Sequence, residues 1–487
     1  MVSESRGGVG WKGTSKMATI NSAFNLITNA LNADQEGLSV VANNVANANT
    51  PGYTRETTIF TETQPITING QQFGTGVSNS GPISVRDGVL EARLVQQQQM
   101  AASSAARLTA LNTLQALFTP NSGSSASSNS GDIGADVTRF FNSLSSLAKT
   151  PTDNSLRQSV LSSASTLAAN VSNAAGNLNS QQSAVNAQAS SIARQVNALT
   201  TSLAALNKQI QSTSPNSDAG VLEDQRVQQV SQLSQLIGVN QITTEHNGLT
   251  LTTTSGQLLV SNSQSVQMTT GDVSGLTHFF LGTTDITAGL GTGGGQLGGL
   301  LKVRDQDIPN AMAALDQMAY SVSTQVNTVN NAGTDMAGDN GGAGNIFYPS
   351  ATLVGSALNM SVVMKNPNKI AAAGLGAATG DNTNVTAMAA LGNQAIVAGE
   401  TPSNAYSNFV TTLGATVSSV QTENMAQTAS VSQLQSQVHS LSSVSLNDEA
   451  AAMQQLERSY QAASQVFALL NSLMGSALNL GVTTSVN

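Results

Sequence analysis

The sequence predicts a mainly α-helical, elongated, multi-domain protein with an inserted β-rich domain, and three observations carry that reading. Over long stretches, apolar residues recur at alternating steps of four and three, the pattern of a helix that buries one stripe. Only in the middle of the chain does the period change to two, as in strands joined by tight turns. Finally, 9% of the 487 residues are charged and 3% aromatic, which suits long rods with thin alanine-rich seams better than a domain with a thick core.

Residues 1–16 are Gly-rich and lack the apolar middle of a secretory signal, so they read as a disordered leader, with Met17 as a start residue. Residues 17–60 form the N-terminal part of a terminal helical domain. There Ile20, Phe24, Ile27, Leu31, Leu38, Val41 and Val45 wind one seam, interrupted only by Asp34. An Asn-rich run then leads to Thr50-Pro51-Gly52-Tyr53, and Pro followed by Gly at the central positions favours a type II turn that stops the helix. Residues 61–88, β-branched and punctuated by glycine, read as an extended linker of loop and short strand.

A helical rod domain begins over 89–237. Its first helix carries Leu90, Leu94, Leu108, Leu111 and Phe118, and the Ser-rich run 119–131 interrupts it as a loop. A short helix follows with Val137, Phe141, Leu144 and Leu147, and then one period runs unbroken from Ser155 to Gln211, the mark of a rod or coiled coil. Residues 238–300 are the β-rich domain, with turns at His246–Gly248 and Ser255-Gly256, ending in a Gly-rich joint. A helix at 301–332, with Pro309 near its start, returns to the rod, and 333–400 is loop with short strands and helix.

The long helix at 401–443 keeps the four-three step most regularly. Asn424 and Gln427 are polar members of its seam, a placement that sets register at some cost in stability. Residues 444–487 form the C-terminal part of the terminal domain: Ser445 and Asp448 are spaced as a capping box. Leu446, Met453, Leu456, Tyr460, Ala463, Phe467, Leu470, Met474 and Ala477 make a second seam, with Glu449 its lone charge. Neither terminal seam can bury itself, so the two ends are expected to form a coiled coil with each other or with a neighbouring copy. Chain order puts the β module at the tip.

Composition also excludes. A net charge of −9 supplies no basic surface for nucleic acid, and no run approaches the roughly 20 apolar residues of a membrane span. With no cysteine there is neither disulfide nor thiolate metal site. Gly289 to Gly294 satisfies G-x-G-x-x-G, but Asp316, at the offset of the acid, lies inside a helix, so the glycines read as a hinge. Asp335, Asp339 and Asn340 resemble the start of a calcium loop, yet Ile346 stands where a bidentate Glu is needed, so a solvated turn is expected. His246, His278 and His439 are scattered, and no metalloprotease or hydrolase motif appears. The chain is therefore expected to be no enzyme, with no catalytic, cofactor-binding or metal residues. Tyr53 and Arg55 remain open between recognition and turn structure.

Leu38 to Arg55, LeuSerValValAlaAsnAsnValAlaAsnAlaAsnThrProGlyTyrThrArg, closely resembles the amino-terminal motif of the bacterial flagellar rod/hook axial protein family. The form with Tyr53 is the one typical of its hook-associated junction members, whereas hook and rod subunits usually carry GlyPhe. Ser445 to Val466 resembles the matching carboxy-terminal signature, and Leu222 to Arg226 and Gly298 to Asp307 resemble internal blocks in the expected order. The resemblance covers nearly the whole chain from Met17. It implies a secreted structural subunit, exported unfolded by the flagellar type III apparatus to the hook-filament junction and needed for motility. Implied partners are hook protein, hook-associated protein 3, other copies in a ring, and a cytoplasmic export chaperone on the C-terminal helix, with no nucleic acid and no membrane insertion. The expected assembly interface is Ile20, Phe24, Ile27, Leu31, Leu38, Val41, Val45, Met453, Leu456, Tyr460, Phe467, Leu470 and Met474. The family motif loop is Asn43, Asn44, Asn47, Asn49, Thr50, Pro51, Gly52, Tyr53 and Arg55. Longer members carry a further β-rich domain, for which 336–398 leaves little room. The competing readings are a hook or rod subunit and a secreted adhesin acting through the β module.

Overall fold

The computed structural model describes residues 14–68, 71–118, 132–214, 217–245, 247–340 and 344–479, and of residues 14–21, 68 and 477–479 the backbone alone. The chain opens with α1 (Thr14–Asn47) and closes with α11 (Leu446–Asn479). These two run antiparallel against each other. Phe24 meets Phe467 edge-on, with ring centroids 4.8 Å apart, a contact worth about 0.5–1.5 kcal/mol beyond its buried area. At the other end Gly37 admits Leu456, whose methyl carbons lie 3.1 Å from where a Cβ would stand. α1 begins at Thr14, three residues ahead of Met17, and the rest of the predicted leader lies outside the described residues.

The stretch predicted as an extended linker of loop and short strand forms two antiparallel strand pairs. β1 (Glu56–Glu62) pairs with β4 (Val77–Ser84) across a bulge, and β2 (Ile66–Ile68) pairs with β3 (Gln71–Phe73). The Thr- and Ile-rich residues of 57–68 supply strand-forming side chains, and Gly76 and Gly81 take the positive φ the turns and bulge require. β1 and β4 also pack on α1, with the Phe60 ring 3.6 Å from where a Cβ on Gly37 would stand, beside Leu456.

The body is a bundle of long helices: α2 (Gly88–Ala116), α3 (Ile133–Leu147), α4 (Asn154–Thr213) and α5 (Val221–Leu236). The first three each begin on an aspartate that accepts from two backbone N–H groups: Asp87, Asp132 and Asp153. At 60 residues α4 is about 90 Å long. Its seam, from Val160 through Leu167, Val171, Leu178, Ile192 and Val196 to Leu203, is buried along the body.

After α5 come two antiparallel sheets. One runs in the order β5 (Val239–Thr244), β6 (Gly248–Thr253), β7 (Leu258–Ser261), β8 (Gln264–Ser265). The other comprises β9 (Met268–Val273), β10 (Leu276–Leu281) and β11 (Thr284–Asp285), with β10 central. Residues 287–300, assigned by sequence to the β-rich domain and its Gly-rich joint, fall in two short helices, α6 (Thr287–Gly293) and α7 (Gly295–Lys302). A π-helical turn at Val303–Asp307 joins α7 to α8 (Ile308–Asn331); Pro309, which has no N–H to donate, sits in the first turn of α8. α9 (Thr383–Ala390) and α10 (Pro402–Ser442) complete the chain, and α10 packs antiparallel along α2. Asn424 Nδ2 donates to Ser104 Oγ at 3.0 Å, and Ser104 Oγ donates to Gln427 Oε1. The two polar seam residues thus fix this register.

The β module does not stand at the tip, as chain order predicts. α4 carries the chain back toward the terminal helices, so both sheets lie against the half of α4 nearest them. Asparagines at spacings of about three turns tie them there. Asn186 accepts from Thr277 N, Asn197 exchanges two hydrogen bonds with Met268, and Asn207 donates to Leu249 O and Asn262 O. The far end of α4 instead holds residues 333–400: buried Arg157 donates to Pro151 O, Pro367 O and Ile370 O.

Candidate functional site

Where the terminal pair meets the body, the Asn-rich loop after α1 forms a polar joint. Tyr53 N donates to Thr50 O at 3.2 Å, and Gly52 has φ of 80°, the geometry of the predicted type II turn. A Cβ at Gly52 would stand 1.9 Å from Gln228 Nε2 and would displace that amide, which donates to Pro51 O at 3.0 Å.

Asn44, 1% exposed, is the centre of the joint. Its Nδ2 donates to Glu56 O at 2.8 Å and Glu449 Oε2 at 3.1 Å; its Oδ1 accepts from Glu56 N at 3.0 Å and Tyr53 Oη at 2.8 Å. That is the full capacity of a carboxamide. Glu449, also buried, takes Arg55 Nε at 2.7 Å, and Arg55 N donates to Ser442 O at the end of α10. One loop therefore holds both terminal helices and the end of α10. Ser445 caps α11 with one bond of the predicted box, its hydroxyl accepting from Asp448 N, and its carbonyl accepts from Glu449 N.

Toward the body the joint is closed by α5. Asp224 accepts from Thr54 N at 3.1 Å, from Thr54 Oγ1 at 2.6 Å and from Arg86 Nη2 at 2.5 Å. Asp218 accepts from Ser84 N and Oγ and from Gly220 N. Burial, and then the charges of Glu56, Asp224 and Glu449, push the Tyr53 hydroxyl far above its usual titration range. Between the loop, α2, α5 and α10 remains a cleft of about 810 Å³, bordered by Gln98, Gln232 and His439.

Residues 24–54, which contain this loop, match the family described as flagella basal body rod protein, and residues 122–347 match the one described as flagellar hook-associated protein FlgK helical domain. Flagellar hook-associated protein 1 of Escherichia coli is 24% identical, with 95% of this chain and 100% of that protein covered. That of Bacillus subtilis is 26% identical over 92% of this chain and 96% of its own length. Over nearly its whole length this chain is similar to flagellar hook-associated protein 1. In fold it matches the flagellar hook junction protein FlgK from Burkholderia pseudomallei, with a TM-score of 0.63 at 20% identity, covering 72% of this chain and 100% of that one.

Within this chain, the predicted assembly seam is largely used up in cis. Phe24, Ile27, Leu31, Leu38, Met453, Leu456, Phe467, Leu470 and Met474 are half-buried, and Val41 and Ala463 are buried. Val45 and Tyr460 face outward, as do Val466, Leu469 and Leu473 on the opposite face of α11; the side chains of Ile20 and Ala477 lie outside the described residues. Of the motif loop, Asn43, Asn49 and Thr50 are exposed, and Asn47 bridges Asn43 and Thr50. Sequence reasoning missed Glu449, Asp224, Asp218 and Arg86. Glu449 was visible as the lone charge in an apolar seam, and Asp224 lies inside the LeuGluAspGlnArg block.

The rejected chemistry resolves into packing. The glycines after 289 are not a hinge but points of contact: a Cβ at Gly299 would stand 2.1 Å from Ser103 O, and one at Gly295 2.5 Å from the Ile237 backbone. Asp316 accepts from Gly355 N at 2.9 Å and Ala357 N at 2.8 Å. Asp335 is not in a solvated turn; it is buried and paired with Lys369 Nζ at 2.8 Å. His278 pairs with Asp285, and His246 lies outside the described residues.

Proposed function

We propose that the chain builds the junction between hook and filament, outside the cell, by packing copies side by side through the terminal helices. The observation that carries this reading is the antiparallel α1–α11 pair, which leaves Val466, Leu469 and Leu473 on an uncovered ridge. No charged residue follows Arg458, so helices from neighbours can approach without burying an unpaired charge. Hook protein on one side, hook-associated protein 3 on the other, further copies in a ring, and an export chaperone on α11 are the partners the family resemblance offers. The domain roles follow: 17–60 and 444–487 as the assembling part, with the rod and β module as its outer support.

Replacing Leu456, Phe467 and Leu470 with Asp is expected to abolish filament attachment while circular dichroism shows the body still folded; normal filaments on such cells would overturn the assignment. The adhesin reading is not favoured by the comparisons. Deleting the β module does not separate the two cleanly, because Leu251, Leu259, Val260 and Phe279 belong to the core shared with α4. Polar substitutions at exposed Ile242 and Val273 do, and are expected to leave motility intact.

A further inference from the structure

The joint collects five carboxylates, Glu56, Glu91, Asp218, Glu223 and Asp224, around Arg86 and Arg226. Arg86 makes its close contact with Asp224 and stands 3.8 Å from both Glu91 and Glu223; Arg226 reaches Glu223 at 3.9 Å. Glu56 is distinct within this cluster. It belongs to the terminal part through its backbone bonds to Asn44, yet its buried carboxylate points at the body, with Oε1 2.5 Å from where a Cβ on Gly220 would stand. The groups facing it are Asn43 and Asn44 of α1, Asp218 and Asp224 of the body, and Arg86; Tyr53, Glu449, Arg55, Asp87 and Glu91 lie further round the joint, and His439 borders the cleft.

We propose that this joint is a proton-responsive latch: seating the terminal pair on the body forces the Glu56 carboxylate against Asp218 and Asp224, so seating is coupled to uptake of a proton by Glu56. Burial, and then the charges of Asp218 and Asp224, raise the Glu56 carboxyl above its ordinary range, against the opposing Asn43 hydrogen bond and Arg86. A carboxyl that titrates higher in the seated state favours that state in mild acid, and the advantage is lost as pH rises through the raised value. When the terminal pair swings away, Glu56 meets water and neither body aspartate opposes its charge.

The absence of cysteine allows two labels to be placed on the full chain, at exposed Gln209→Cys on α4 and Gln461→Cys on α11, in a His439→Gln background that removes the histidine at the cleft. Spin-label distances between them report the seated and released populations. The seated-to-released ratio is expected to be at least about threefold higher at pH 5 than at pH 8. Glu56→Gln should be seated at both pH values with a flat profile, and Glu91→Gln, an acid wholly within the body, should keep the wild-type profile. A flat wild-type profile, a Glu56→Gln chain that follows the wild type or stays released, or a flat profile for Glu91→Gln would each overturn the latch.

Discussion

Replacing Asn44 with alanine tests the centre of the joint. The amide makes four hydrogen bonds while 1% exposed, three to neutral groups and one to the Glu449 carboxylate. Buried neutral bonds contribute about 1 kcal/mol each and charged ones about 2. Glu449 keeps Arg55, and Tyr53 borders the cleft and can recruit water, which lowers the expected loss to about 3 kcal/mol. The loss should fall on the joint and the terminal pair, since the bonds are made between α1, β1 and α11. Native-state hydrogen exchange of α1 and α11 amides should speed up roughly a hundredfold, while the amides of α4 keep their protection. A loss under about 1 kcal/mol, or an equal loss throughout α4, would refute the assignment of Asn44 as the hub.

Other perturbations separate the remaining contributions. Tyr53 titrates higher when folded than its unfolded value of about 10, so its contribution is complete below that value and is lost as pH rises through the folded one. The urea midpoint of the terminal pair should therefore fall above pH ~10 in the wild type and fall less in Tyr53→Phe. Gly52→Ala should cost about 1–3 kcal/mol through its positive φ alone, and adding Gln228→Ala should recover the steric part but not the strain, as urea denaturation will show. Asn424→Leu should leave α10 helical by circular dichroism but relax its register on α2, read as a broadened label distance between the two helices.

What the sequence made legible was local or periodic. The four-three steps located the long helices, Thr50-Pro51-Gly52-Tyr53 specified its turn, and Ser445 its cap, because each of these is decided within a few residues. Asn424 and Gln427 were also readable, since a polar residue in an apolar seam demands a partner. The joint was only half legible. Glu449 sits 394 positions from Arg55 and 405 from Asn44, and no periodicity encodes which distant carboxylate an arginine will find. The β module was misplaced for a related reason: chain order gives the middle of an excursion, whereas α4 itself carries the chain back toward the terminal helices before the sheets begin. The asparagines of α4, about three turns apart and bonded to backbone N–H and carbonyl groups of the β module, read as solvent-facing polarity until their partners are known. Likewise the glycines after 289 look like flexibility, and become close contacts only once α7 lies on α2.

The pairing of α1 with α11 also orders events in time. Every residue between the two must already exist, and have passed wherever the chain passes, before the final helix can reach the first; closing so long a loop is also among the costliest steps entropically. A polypeptide cut short before α11 therefore leaves α1 with β1 and β4 but without its helical partner. Closure of the pair is written into α11, so a copy without that helix leaves its partner face on α1 uncovered.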